Sequence, residues 1–265
     1  MAFFRDMTLG QYIPGESFVH RLDPRTKIIV TMLLIILLFL VETFQGYGLV
    51  ALFIGGLILL SQLSPRFVLR GIRPMLVIIL FTLVLHVFLS EGEAIWQLGP
   101  LKVTREGLTK GGMMVTRLIL LIIGASLLTL TTSPIALTDG IEAILSPGKR
   151  IGLPAHELAM MMTIALRFIP TLLEEMDKIT KAQMARGADF ETGNIMQRAK
   201  SLLPLLVPLF VSAFRRADEL AVAMEARCYR GGEGRTKMKQ LIFTGQDYAV
   251  IGLTLAFAVL VGGFF

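Results

Sequence analysis

The chain has 265 residues, of which 54% are hydrophobic and only 17% charged, and its mean hydropathy is +0.69. A soluble domain carries nearer a quarter charged residues, so this composition excludes an ordinary soluble protein and indicates an integral membrane protein. The 26 Lys and Arg against 20 Asp and Glu leave a formal charge of +6, gathered into blocks, which suits membrane lipid in preference to nucleic acid. Cys228 is the single cysteine; it can form no intramolecular disulfide, which excludes a disulfide-built extracytoplasmic domain.

Ahead of Lys27 stand Arg5, Asp6, Glu16, Arg21, Asp23 and Arg25, which leaves no room for the apolar core of a cleaved signal, so the N-terminus is expected to be retained. Asp23 can cap the first span and Pro24 suits its first turn, with Arg25 and Lys27 anchoring it at the lipid face. Apolar runs follow at Ile28 to Val41, Gly46 to Leu63, Pro74 to Ser90, Leu118 to Thr132 and Tyr248 to Phe265. Each approaches the ~20 residues that cross a bilayer. Five spans are expected, the first two as a helical hairpin. No segment has strand patterning, so the fold class is an all-α integral membrane protein.

Arg5, Arg21, Arg25 and Lys27 precede the first span, and Arg66, Arg70 and Arg73 lie in the second link. The positive-inside rule puts both in the cytoplasm. The link from Glu91 to Gly112 offsets Lys102, Arg105 and Lys110 with Glu91, Glu93 and Glu106 and fits the outside. The stretch from Ser133 to Gly245 carries most of the remaining basic residues and is expected inside, which leaves the C-terminus outside. The division is therefore 1–132 as a four-span bundle, 133–245 as cytoplasmic and interfacial helices, and 246–265 as a last transmembrane helix.

Within 133–245, Leu158 to Leu173 contains Arg167 and Pro170, and Leu202 to Phe214 contains Pro204 and Pro208. Both are too interrupted to be plain spans and read as helices lying against the membrane or the bundle, running on into charged ends at Glu174 to Arg186 and Arg215 to Arg227. The alternative is that one of them re-enters the bilayer.

Setting Arg186 over Arg227 also sets Asp177 over Asp218, Ala182 over Ala223, Ala185 over Ala226 and Gly187 over Cys228. Small residues at a spacing of three share a helix face and admit another surface closely. Gly187 supplies a left-handed helix terminator, and Gly231-Gly232 is expected to do so later in the second copy. A cation at a helix C-terminus is also simply stabilised by the macrodipole, by about 0.3 to 1 kcal/mol. Two such helices in a chain whose halves are otherwise unlike read as plugs for two equivalent sockets on a dimeric partner. Arg suits that role because its planar fork pairs with carboxylates and stays charged when desolvated.

On His20-Arg21-Leu22-Asp23-Pro24-Arg25-Thr26-Lys27, Ala185-Arg186-Gly187 and Glu225-Ala226-Arg227-Cys228-Tyr229-Arg230-Gly231-Gly232, the chain resembles the transmembrane T component of energy-coupling factor (ECF) transporters. These are ABC-type importers of vitamins and trace metal ions, and the resemblance covers nearly the whole length. It implies that two ABC-type ATPase subunits receive the ends of long coupling helices, and that a membrane-embedded S component holds the substrate. Carried over, Arg186 and Arg227 are the coupling arginines, within Ala185, Arg186, Gly187 and Ala226, Arg227, Cys228. Cys228 departs from the family's Gly, which argues against a tight left-handed turn directly after Arg227.

No phosphate-cradling Gly-rich loop ends in Lys-Ser or Lys-Thr, so the chain is expected to be non-catalytic, with ATP and Mg held by the partner ATPases. His20, His86 and His156 lack metal-ligand spacing, so neither a metal nor a cofactor is expected in this chain. Only Arg117 and Arg167 sit deep in apolar runs; Arg117 can snorkel to an interface, and Arg167 can serve carbonyls loosened by Pro170 or pair with Glu174. Met160, Met161, Met162, Met176, Met184, Met196 and Met224 read first as core fillers and second as an adaptable contact surface. The expected function is energy coupling, with α-helical stretches Leu158 to Leu173 and Leu202 to Phe214 contacting the S component. An ion-coupled secondary carrier and a substrate-conducting ABC permease are the alternatives.

Overall fold

A computed structural model of the chain describes residues 12–90, 93–98, 101–188, 190, 195–231 and 240–264. Readings that rest on Arg5, Asp6, Glu91, Gly232 and Phe265 fall outside them. The helices are α1 (Phe18–Arg21), α2 (Pro24–Leu40), α3 (Phe44–Ser61), α4 (Pro65–Arg70), α5 (Leu76–Leu89), α6 (Arg105–Thr131), α7 (Pro134–Leu145), α8 (Ala155–Ala185), α9 (Ile195–Ala226) and α10 (Gly245–Phe264). Two compact units result, one made of α1 to α7 with α10, the other of α8 with α9.

Among the described residues, five helical stretches are long and apolar enough to cross a membrane: Phe44–Ser61, Pro65–Leu89, Arg105–Thr131, Ala155–Ala185 and Gly245–Phe264. The count equals the expected one, but the membership differs. The first apolar run forms the 17-residue α2, about 26 Å long at 1.5 Å per residue, and Ala155–Ala185 takes its place among the five by length and composition.

In the larger unit α6 is the hub, packed against α2, α3, α4 and α5. Leu120, Leu127 and Leu130 of α6 meet Leu34, Leu37 and Leu38 of α2 and Val50 and Ile54 of α3 in one buried cluster. Against expectation, α6 begins at Arg105, well before Leu118. Ahead of it, β1 (Ala94–Leu98) and β2 (Leu101–Thr104) form an antiparallel hairpin with Trp96 opposite Val103 and a bulge between Ala94 and Trp96. This corrects the expectation of no strand anywhere. The hairpin is anchored through Thr104, whose hydroxyl donates to the Ser90 carbonyl (3.0 Å) and accepts from the Gly107 amide (3.1 Å), capping α6.

The N-terminal motif knits three helix ends together. Asp23 caps α2 by accepting from the Arg25 amide (2.8 Å) and pairs with the Arg25 guanidinium (2.9 Å). Its own amide donates to Asp247 Oδ1 (2.9 Å) in the first turn of α10. Asp247 also accepts from the Thr244 amide (2.9 Å) and hydroxyl (2.6 Å), which ties the residue before α10 to its first turn. Lys27 does not reach lipid: it is buried, and its ammonium donates to the carbonyls of Thr131 (2.9 Å) and His20 (3.1 Å). Thr131 ends α6, so a buried cation serves one of the carbonyls a helix terminus leaves without an internal partner. Arg25 lies 3.9 Å above the Phe243 ring. The starts of α2 and α10 and the end of α6 thus share one end of the bundle.

Arg117 is likewise turned inward instead of snorkelling. Its Nε donates to the Tyr47 hydroxyl (2.9 Å) and its Nη2 to the Val41 carbonyl (3.2 Å), while Tyr47 donates to the same carbonyl (2.8 Å). Tyr47 and Val41 are fully buried. The corner between α2 and α3 exposes backbone carbonyls that no strand or helix can satisfy, and α6 supplies the donor.

Candidate functional site

The α8 and α9 unit holds every residue singled out at the repeated helix ends. α8 runs through Pro170 and α9 through Pro204 and Pro208 without interruption. Their contacts progress in opposite directions along the two helices. Gln183 donates to the Pro204 carbonyl (3.3 Å), Glu175 accepts from Ser212 (2.5 Å) and Arg216 (2.9 Å), and His156 lies within 3.5 Å of the Tyr229 hydroxyl. The pair is therefore antiparallel, and Arg186 and Arg227 stand near opposite ends of it. Roughly 25 helical residues separate their levels, on the order of 40 Å.

Each helix ends in the same hydrogen-bonded cap. After α8, the Gly187 amide donates to the Met184 carbonyl (2.9 Å) and the Ala188 amide to the Gln183 carbonyl (3.0 Å). After α9, the Cys228 amide donates to Glu225 (2.8 Å) and the Tyr229 amide to Met224 (3.1 Å). The offset that carries Arg186 onto Arg227 carries every one of these groups onto its counterpart. Both sets are the Schellman pattern, whose pivot residue must be left-handed. Gly187 has φ +88° and Cys228 φ +54°. The expectation against a tight left-handed turn directly after Arg227 is thus corrected: Cys228 adopts the turn itself, at the φ where the left-handed well tolerates a side chain. Gly231 is also left-handed, at φ +87°.

Arg186 and Arg227 are exposed, as are Ala182, Ala185, Ala223 and Ala226. Neither arginine forms an ion pair among the described residues. The small-residue face and the charged tip are therefore open in both copies. The copies differ one turn back, where Asp177 pairs with Lys181 but the counterpart of Lys181 is Val222.

Between the helices lies an open groove of about 320 Å³, lined by Ile164, Phe168 and Leu172 of α8 and by Ala213, Ala217, Leu220 and Met224 of α9, with Arg216 at its edge. Sequence reasoning pointed to Leu158 to Leu173 and Leu202 to Phe214, which overlap the groove only in part; the α9 wall lies mostly beyond Phe214. Those stretches do expose Leu158, Met161, Met162, Leu203, Val207 and Phe210. Methionine as core filler does not hold for Met161, Met162, Met184 and Met196, which are exposed, whereas Met160, Met176 and Met224 are half-buried. Arg167 and Glu174 are exposed and form no ion pair with each other; a charge pair that does join the two helices is Glu175 with Arg216. Its members lie on different helices, and pairing across helices has no signature in the sequence.

No group of three or more His, Cys, Asp or Glu among the described residues could hold a metal ion. One unit pairs two long helices with exposed cationic ends, and the other is a bundle that contains apolar, membrane-length helices. The class is a membrane transport component: the cobalt transport protein family CbiQ matches residues 15–238. Among curated relatives, the energy-coupling factor transporter transmembrane protein EcfT of Thermosediminibacter oceani is 62% identical, covering 96% of both chains. Its namesake from Ruminiclostridium cellulolyticum is 58% identical over 96% of this chain and 95% of its own, and that from Bacillus subtilis is 52% identical over 96% of both. The chain belongs to this family, the transmembrane components of energy-coupling factor transporters.

Proposed function

We propose that Ala185-Arg186-Gly187 and Ala226-Arg227-Cys228 are the two points at which a pair of ABC-type ATPase subunits grip this chain. Nucleotide binding draws the ATPases together, the gripped ends of α8 and α9 move with them, and the apolar parts of the same helices reorient a membrane-embedded S component that releases its vitamin or trace metal inward. The chain itself is non-catalytic; ATP and Mg belong to the ATPases. The observation that carries this reading is the repetition, atom for atom, of one cap behind two exposed arginines.

The bundle supports a matching orientation in a bacterial cell membrane. Lys27 on Thr131 and Asp23 on Asp247 hold the start of α2, the end of α6 and the start of α10 at one end, so the intervening chain leaves and returns on the same side. Were α8 to cross, α9 would have to cross back. It carries Arg215, Arg216, Asp218 and Glu219 in sequence mid-course, a stretch too costly to place in hydrocarbon. By the positive-inside rule the basic N-terminus and the basic stretch 133–245 are cytoplasmic, so both tips face the cytoplasm and the C-terminus lies outside.

Arg186→Glu or Arg227→Glu should each weaken recovery of the ATPases with the tagged chain, and the double change should abolish it while membrane insertion survives. A charge-assisted contact contributes about 1.5 to 3 kcal/mol, so one substitution impairs assembly without ending it. Wild-type recovery in the double variant would reject the assignment.

A further inference from the structure

We propose that Arg66, Arg70 and Arg73 form a binding site for the phosphate of an anionic phospholipid. They follow one another at helical spacings of four and three. Helical backbone continues from α4 through Gly71 (φ −63°, ψ −24°) and Ile72 (φ −75°, ψ −31°) into the tight turn Arg73–Met75 that opens α5. The three guanidinium groups therefore share one stripe. The opposite side of the stripe is closed by protein: Val68 is fully buried, and a Cβ on Gly71 would meet Ser126 Oγ of α6 at 2.7 Å. All three arginines are exposed, and no carboxylate pairs with them among the described residues.

The surroundings select lipid over a soluble anion or an acidic protein. Phe67 and Leu69 flank the stripe and are exposed, and Leu76 and Val77, where the apolar α5 begins, are exposed as well. The arginines thus sit in the first turns of the membrane-length stretch Pro65–Leu89, just after Phe44–Ser61, with uncovered hydrocarbon-compatible side chains on either hand. Arg70 lies 5.1 Å over the Phe67 ring, which holds one guanidinium at the edge of the apolar surface. A phosphodiester with two acyl chains satisfies both halves of this surface, because the planar fork matches phosphate oxygens and the apolar rim meets the chains. The proposal is independent of the role given to Arg186 and Arg227.

The test uses the full chain, purified in mild detergent and re-lipidated with equal parts dioleoyl phosphatidylglycerol and dioleoyl phosphatidylcholine, with retained lipid counted by native mass spectrometry. The expected preference for phosphatidylglycerol is about tenfold, lost in R66Q/R70Q/R73Q, largely kept in R66K/R70K/R73K, and unchanged in K110Q. If the triple glutamine variant fails to insert, the three single variants serve, each expected to cut the preference two- to fivefold. Unchanged preference in the triple variant, or in all three single ones, overturns the site. So does displacement of the lipid by millimolar inorganic phosphate, which would mark a free-anion site. Loss of partner subunits with lipid preference intact would mark a protein contact and overturn it equally.

Discussion

Gly187→Ala tests whether the cap behind Arg186 is held by its left-handed residue. Gly187 sits at φ +88°, beyond the +50° to +70° well that side chains tolerate, and nothing lies within 4 Å of where its Cβ would be. The cost is therefore backbone strain alone, with no clash added. A left-handed L-residue costs about 1 to 2 kcal/mol, and reduced freedom of the opened chain returns about 0.4 to 1 kcal/mol, leaving a net of about 1 kcal/mol. That is roughly a fivefold change in a local opening equilibrium. Amide hydrogen exchange of the detergent-solubilised protein reads it directly at Ala188, whose amide donates to Gln183. Cys228→Gly is the converse: its φ of +54° already lies in the tolerated well, so exchange at Tyr229 should slow by no more than a few-fold. Unchanged exchange at Ala188 in Gly187→Ala would refute the claim that this residue sustains the cap.

Tyr47→Phe removes the hydroxyl that bridges Arg117 and the Val41 carbonyl, and should lower the thermal midpoint by the equivalent of about 1 to 3 kcal/mol; a midpoint within error of wild type would show that Arg117 alone satisfies the corner. A double-mutant cycle on Glu175→Gln and Arg216→Gln should give a coupling of about 0.5 to 1 kcal/mol, since the pair is partly solvent-exposed, and zero coupling would remove it as a tie between α8 and α9. Burial holds His20 below the ordinary histidine value of 6.5, outweighing its bond to the Ile13 carbonyl. Its neutral form is thus the folded one, so stability should be full above about pH 6.5 and fall as the pH drops below it, a decline that His20→Asn flattens in thermal melts.

Apolar length was enough to read the bundle, because a spanning helix must bury its backbone groups internally and surround them with hydrocarbon. It was not enough to say which way a charge turns. Lys27 and Arg117 look from their neighbours like residues for the interface, yet each faces carbonyls supplied by a helix distant in the chain. The hairpin's strands are only five and four residues long, alternation in Leu101-Lys102-Val103-Thr104 is too brief to stand out, and the fastening by Thr104 to Ser90 is tertiary. At the candidate site the paired ends were plain from spacing, but the turn at Cys228 was not, since a type-based rule reserves it for glycine. What permits it is local: an exposed side chain with two cap hydrogen bonds holding the backbone around it.

The opposed running of α8 and α9 sets what kind of motion can strain them. Shifting both cationic ends together merely carries the rods along as one body, and the Glu175 and Arg216 tie feels nothing. Pulling the ends toward or away from each other makes one rod slide past its neighbour, and that tie with the apolar seam beside it must yield. The pair behaves as a calliper, indifferent to where its jaws are and responsive to how far apart they stand.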